Sequence, residues 1–392
     1  MKIAVLTSGI LPVPAVQGGA VENLVDFYLE YNEKHRLHDI TVYSVWHPDV
    51  KKQFALQSGV NHYIFIKTDG WWNKLRKKLY QKTHEKEYYH YSIEFFLHKA
   101  IQHIHHQHYD LILMENRPGY ALKLKDVTNA KFVYHLHNEK LDSKAPHCQV
   151  IYDAAFRILT VSNYIKHRVQ TINSKDTKTL TVYNGIDLNA FTKNTQARKE
   201  LIGLSNDDFL LVFSGRVNRD KGIMELVEAI GLLKEMSHIK LMVIGGSFFG
   251  NASSDNEFMR NLKTKATPHN DRIIFTGYIP YSEIPTYLSI ADVAVIPSVW
   301  DDPFPTTVLE AQAMGLPIIT TYRGGIPEEV TEKNAILLDT DEHFVENLAS
   351  AILDLYKHPE KRKFMAEASH KRAKLFDKEI YAKNFFKALD NV

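Results

Sequence analysis

Pro297-Ser298-Val299-Trp300-Asp301-Asp302-Pro303-Phe304-Pro305-Thr306-Thr307-Val308-Leu309-Glu310-Ala311 decides the reading of this chain. It follows Asp292-Val293-Ala294-Val295-Ile296, an apolar run typical of a strand buried within a parallel sheet. From Thr306 to Met314 the sequence reads as a helix start. Asp302 and Glu310, with seven residues between them, therefore flank a loop-to-helix junction at a strand end. Junctions of this kind are where open α/β sheets bind phosphates and sugars. The backbone N–H groups of Thr306, Thr307 and Val308 are expected to face an anion. A carboxylate one turn into the helix can accept hydrogen bonds from neutral hydroxyls such as those of ribose. The ligand this asks for is part phosphate and part polyol, and a nucleotide-sugar meets both demands.

Working outward, short Val/Ile/Leu-rich runs alternate with amphipathic stretches through most of the 392 residues. Strands are expected at Ile3–Thr7, Ile40–Val45, Leu111–Met114, Phe132–His135 and Ile158–Val161. A second set is expected at Phe209–Phe213, Lys240–Ile244, Ile273–Thr276, Val293–Ile296 and Ile318–Thr320. Helices are expected between them, at Gly19–Lys34, Ile93–His108, Gly222–Met236, Asp255–Thr264 and His343–Tyr356. Such alternation implies parallel sheets with helices on both faces. The length exceeds one ordinary core, so two domains are expected. The boundary is placed at residue 185, giving a first domain 1–185 and a second 186–375. A terminal helix, 376–392, is expected to pack back onto the first. Two doubly wound α/β domains would then face each other across a cleft.

Composition narrows the function. Hydrophobic residues make up 44% and charged residues 24%, as in globular proteins. A net charge of +2 argues against a nucleic-acid-binding protein. The single cysteine, Cys148, excludes an internal disulfide and a cysteine zinc site and fits a reducing, cytoplasmic location. No run approaches the length of a spanning helix, and Met1–Thr7 reads as a first strand rather than a secretory leader. Any membrane contact is therefore expected to be peripheral.

Several constellations carry chemistry. Arg216 and Lys221, between the strand ending at Ser214 and a helix near Gly222, bring two cations to one strand end and suit a diphosphate. Gly245-Gly246-Ser247 and Gly277-Tyr278-Ile279 are further strand-end turns. The first allows close backbone approach to a ligand; the second offers backbone to the edge of a base. In the first half, Gly18-Gly19 puts unencumbered backbone at a helix N-terminus, but the dinucleotide fingerprint G-x-G-x-x-G is absent. His135 and His137 share one face of a strand, with His137 nearer its end. Glu139 follows. The cluster His103, His105, His106 and His108 has poor metal-ligand spacing and reads as an exposed helix end, so no metal is expected. Trp71-Trp72-Asn73-Lys74-Leu75-Arg76-Lys77-Lys78-Leu79-Tyr80 joins two tryptophans to four cations. That suits an anionic lipid surface, against the alternative of tryptophans turned into the core.

Together these motifs resemble the family-four retaining glycosyltransferases of the GT-B fold, of the type that builds bacterial surface polysaccharides. The resemblance runs from Gly18-Gly19 to the C-terminal helix and is most specific in Arg216…Lys221-Gly222, Pro297-Ser298…Asp302…Glu310-Ala311 and Gly315-Leu316-Pro317. Asn184-Gly185-Ile186-Asp187 and Val161-Ser162 are similar to the family's inter-domain signatures. The resemblance implies that Arg216 and Lys221 hold the donor diphosphate, that Glu310 holds the ribose, and that His137 lies near the reacting sugar. It places Asp302, where the family usually has Glu, against the donor sugar. It extends the donor site to Phe304, Thr306 and Thr307 and requires no cofactor. The implied activity is hexosyl transfer from a nucleotide-sugar, UDP-linked for preference, to a sugar hydroxyl of a glycan or lipid-linked acceptor. The alternatives are a nucleotide-sugar epimerase on the same fold and a non-catalytic nucleotide-sugar-binding protein.

Overall fold

The computed structural model describes residues 1–50, 59–68, 70–83, 88–246 and 256–390. Ser247, Asp255 and the last two residues of the expected terminal helix lie outside them. The chain divides into two compact units, Met1–Asn184 with Glu379–Val392, and Gly185–Lys378.

The first unit carries a seven-stranded sheet. Its strands are β1 (Lys2–Leu6), β2 (Asp39–Val45), β3 (Asn61–Ile66), β4 (Leu111–Glu115), β5 (Lys131–Leu136), β6 (Ala155–Thr160) and β7 (Thr179–Thr181). They lie in the order 3-2-1-4-5-6-7, every pair parallel. The second unit has β8 (Phe209–Ser214), β9 (Ile239–Ile244), β10 (Ile273–Gly277), β11 (Val293–Ile296), β12 (Ile318–Thr321) and β13 (Ala335–Leu338). Their order is 10-9-8-11-12-13, again all parallel. Central strands such as Ile3–Leu6 and Val293–Ile296 are buried throughout, as strands covered by helices on both faces must be. The order reverses between β1 and β4 and between β8 and β11. At such switch points neighbouring loops leave the sheet in opposite directions and open a crevice beyond the strand ends.

The expected strands all form, with ends shifted by a few residues. β3, β7 and β13 were not read from the sequence. All three are edge strands, and an edge needs less apolar sequence because one side is unpaired. The helix expected at Ile93–His108 is Tyr91–Ile104, and the four histidines of its end are exposed.

The terminal helix Lys378–Asp390 supplies Tyr381, Ala382, Phe385, Phe386 and Leu389 to the same core as Ile3, Val5, Leu24 and Tyr28. Phe385 stacks on Tyr28 with ring centroids 4.2 Å apart. Each fully buried aromatic of this kind contributes roughly 1.5–3 kcal/mol, so the helix is an integral part of the first unit.

Candidate functional site

Two strand-end loops of the second unit are tied together at its switch point. The carbonyl of Asp220 accepts from the N–H groups of Val299 and Trp300, at 3.0 and 3.2 Å, and from the Ser298 hydroxyl at 3.2 Å. Gly222, with φ +67°, backs directly onto Pro297. A Cβ there would lie 1.7 Å from the Pro297 carbonyl oxygen, so no other residue fits. This close approach brings Lys221 beside Asp302, whose carboxylate accepts from Nζ. Asp302 is buried, and its carbonyl accepts from the N–H of Gly325 at 2.7 Å. Arg216 stands exposed on the same β8 loop.

Glu310 is buried in the helix Thr306–Ala313. The hydroxyls of Thr306 and Tyr281 donate to its carboxyl group. Burial raises its pKa to about 7, and those two hydrogen bonds only partly oppose the rise. One expectation is corrected here. The N–H of Val308 is not open to an anion, because it already bonds the Pro305 carbonyl at 3.0 Å in the first turn. Phe304 is buried edge-on against Phe376, with centroids 5.7 Å apart. Thr306 and Thr307 are half-buried.

The glycine turns differ in purpose. A Cβ on Gly245 would lie 1.9 Å from the Gly215 carbonyl oxygen, so this glycine serves backbone-to-backbone packing beside the Arg216 loop. Gly277 has open space at its Cβ position and a carbonyl that accepts from the Gly245 N–H at 2.9 Å. Tyr278 beyond it is exposed and Ile279 half-buried.

Sequence reading passed over two residues of this region. Tyr281 is one. Glu329 is the other: it is fully buried, and neither carboxyl oxygen finds a hydrogen-bond partner among the described residues. Burial, with Asp302 and Glu328 nearby, holds its pKa well above the usual range despite Lys221 and Arg372. The available signal was its place one residue after the Gly324-Gly325-Ile326-Pro327-Glu328 turn.

In the first unit, His137 leaves the end of β5 and its Nε2 lies 3.0 Å from Glu115 Oε2. His135 Nδ1 lies 3.0 Å from the same oxygen, and the Tyr28 hydroxyl donates to Oε1 at 2.9 Å. Glu115 ends β4 next to β5, a position no local sequence pattern announces. Burial pushes its pKa up, but His135 and His137 outweigh burial and carry it down to about 2. Burial, with His135 alongside, lowers His137 to about 4 against the pull of Glu115. These three side chains are close enough to share a cation. Protons already account for every short distance among them. Gly18 (φ +72°) has open space at its Cβ position, whereas a Cβ on Gly19 would meet Glu22 Oε2 at 2.3 Å. Burial raises Glu22 to about 7, so the carboxyl beside the Gly18-Gly19 turn holds on to its proton far longer than an exposed one.

Two all-parallel sheets, with cations and carboxyls gathered at the second one's switch point, define an α/β protein of the GT-B class. Comparison with known proteins agrees. Residues 194–372 match the profile of the family described as glycosyl transferases group 1. The chain is 31% identical over 355 residues to a putative glycosyltransferase of Bacillus subtilis, YtcC, covering 87% of this chain and 80% of the relative. It is 29% identical over 391 residues to spore coat protein SA of the same organism, covering 95% and 94%. The crystal structure of Anabaena Alr3699/HepE in complex with UDP and glucose matches with a TM-score of 0.75 and 19% identity over 100% of both chains. At that identity the likeness speaks for the fold. The chain belongs to the group 1 glycosyl transferases.

Proposed function

We propose that this protein transfers a hexosyl group from a nucleotide-sugar, UDP-linked for preference, to a sugar hydroxyl with retention of anomeric configuration. The observation that carries the reading is the Lys221–Asp302 pair at the β8/β11 switch point with buried Glu310 following on the next helix. Arg216 and Lys221 neutralise the leaving diphosphate, a role in which fixed cations act without reorganising. Glu310 accepts from the ribose hydroxyls and Asp302 reads the donor sugar. The turn Gly277-Tyr278-Ile279 offers backbone to the base. Gly18 contributes open backbone to the diphosphate, and His137 meets the reacting sugar.

A thermal-shift screen against nucleoside diphosphates and their sugars tests the donor site. A ligand at a hundred times its Kd adds about 2.7 kcal/mol, which is readily measured. Turnover with a panel of glycan acceptors then tests the reaction. Donor conversion without acceptor would point to an epimerase, and binding without any turnover to a binding protein.

A specific observation favours a lipid-linked acceptor used at a membrane surface. Among the described residues no helix is long and apolar enough to cross a membrane. The helix Trp71–Thr83, however, leaves Trp71, Trp72, Leu75 and Leu79 between 53% and 68% exposed. At about 100° per residue these four span one face. Tyr80 packs inward on Phe95 with centroids 6.2 Å apart. By the same count Lys74, Arg76 and Lys78 flank the apolar face, Lys82 lies within it and half-buried Lys77 lies on the inward side with Tyr80; the helix has no acidic residue. An apolar face within a cationic rim suits an anionic lipid surface. The likeness to a spore coat protein supports a cell-surface destination for the product. Changing Lys74, Arg76, Lys77 and Lys78 to Gln should abolish salt-sensitive co-sedimentation with anionic vesicles and leave activity on a short soluble acceptor intact. Unchanged vesicle binding would remove the membrane role.

A further inference from the structure

The Glu115 cluster has more order than a buried ion pair requires. An ionised carboxylate can only accept hydrogen bonds, so each of its three neighbours must donate. Tyr28 does so through its hydroxyl at 2.9 Å, His135 through Nδ1 at 3.0 Å and His137 through Nε2 at 3.0 Å. The proton of neutral His137 therefore sits on Nε2, and the lone pair is left on Nδ1. The other ring nitrogen of His135, Nε2, is buried with no hydrogen-bond partner among the described residues. The backbone is fixed as firmly as the ring. Asn116, at φ +57°, accepts the His137 N–H on Oδ1 at 3.2 Å and the Asn138 amide at 2.7 Å.

We propose that Glu115 is a positioning residue for His137: it fixes the imidazole as the neutral Nε2–H tautomer and so presents Nδ1 as an acceptor for a hydroxyl of the sugar substrate. This rests on the reading that His137 meets the reacting sugar. Glu115 from β4 and His135 from β5 face the ring directly, and Glu115 is in turn faced by Tyr28 and Glu22 from the first helix and by Tyr381 from the terminal helix, with Arg117 from the β4 loop beside Glu22. With Glu115 ionised and His137 held neutral by burial, the tautomer is expected to persist across the working pH range.

The test uses the full-length protein with 15N-labelled histidine. Two-bond proton–nitrogen correlations at pH 5.5–8 report tautomer and charge ring by ring, and His137→Gln identifies the signals by their loss. A neutral ring protonated on Nε2 throughout is expected. An Nδ1–H tautomer, an imidazolium at pH 7, or a stoichiometric zinc retained through gel filtration would overturn the proposal. Kinetics supply the second arm. Glu115→Gln cannot accept from all three donors, so kcat should fall about tenfold, the worth of one misplaced hydrogen bond to a charged group. The Kd for nucleoside diphosphate alone should hold. A purely structural Glu115 would lower the folded fraction and leave kcat per folded molecule unchanged, which would also overturn the proposal. Full activity in His137→Ala would remove the functional reading and the hydroxyl contact with it. An inactive His137→Ala beside a wrong tautomer would remove the role of Glu115 alone.

Discussion

Glu115, the last residue of a central strand in the first unit, and Glu310, in the helix after a central strand of the second, are both buried and both accept from a tyrosine hydroxyl. Their ionisation differs by about five pH units, with Glu115 carried to about 2 and Glu310 raised to about 7. Burial pushes each carboxyl up. The difference is made by the company. Glu115 has two imidazole N–H groups besides Tyr28, whereas among the described residues Glu310 has the hydroxyls of Thr306 and Tyr281 alone. Burial does not fix the charge of a group; the donors that survive burial do. The first unit has built a permanent anion that orients a ring. The second has kept a carboxyl short of donors, which suits a group whose partners arrive with a ligand.

The largest expected effect tests whether the second site awaits an anion. Arg216→Ala and Lys221→Ala should each lower kcat/KM about a hundredfold or more, roughly 3 kcal/mol of transition-state stabilisation. Steady-state rates on protein shown to be folded decide it. Full activity in either variant would remove the diphosphate from this loop and the contrast would lose its functional meaning.

The comparison itself is sharpened by a pair of isosteric changes followed by chemical unfolding across pH. Glu115 titrates lower in the folded protein than in the unfolded chain. Its stabilisation is present above about pH 4.5 and is lost as pH falls toward 2. Glu310 titrates higher when folded, so a cost appears as pH rises from about 4.5 to 7 and stays constant above. Each shift is roughly 3 kcal/mol at full extent. Glu115→Gln should therefore destabilise most at neutral pH and progressively less below pH 4.5. Glu310→Gln should stabilise at pH 8, be neutral at pH 4, and weaken nucleoside diphosphate binding. The same pH trend in both variants would break the comparison.

The smallest effect separates the two tyrosines. Tyr28→Phe removes a donor from an anion and should cost about 1.5–3 kcal/mol, whereas Tyr281→Phe removes one from a largely neutral acid and should cost about 1 kcal/mol at pH 6. Differential scanning calorimetry resolves a gap of that size. Equal losses would mean that Glu310 is as fully ionised as Glu115.

The central strands were legible because burial on both faces forces continuous apolar runs, as at Val293–Ile296. The edge strands β3, β7 and β13 were not, since half-exposed backbone tolerates polar sequence. In the second unit the candidate residues could be named because they fall on strand-end loops, the charged ones along two short stretches, 215–222 and 297–310. What could not be seen was that Lys221 and Asp302 hold each other, that the Val308 N–H is already used, or that Glu329 lies buried near them. Each depends on contacts between residues far apart in the chain.

Sequence by itself determined the two parallel α/β sheets, the positions of the strand-end loops and the supply of cations and carboxyls on them, because periodicity and local backbone chemistry act over a few residues. Only the tertiary structure decided which of those groups are charged. Glu115 meets Tyr28 across 87 positions and His137 across 22. An ionisation state depends on solvent exclusion and on donors within about 3 Å, and both are set by chain segments that the sequence keeps apart.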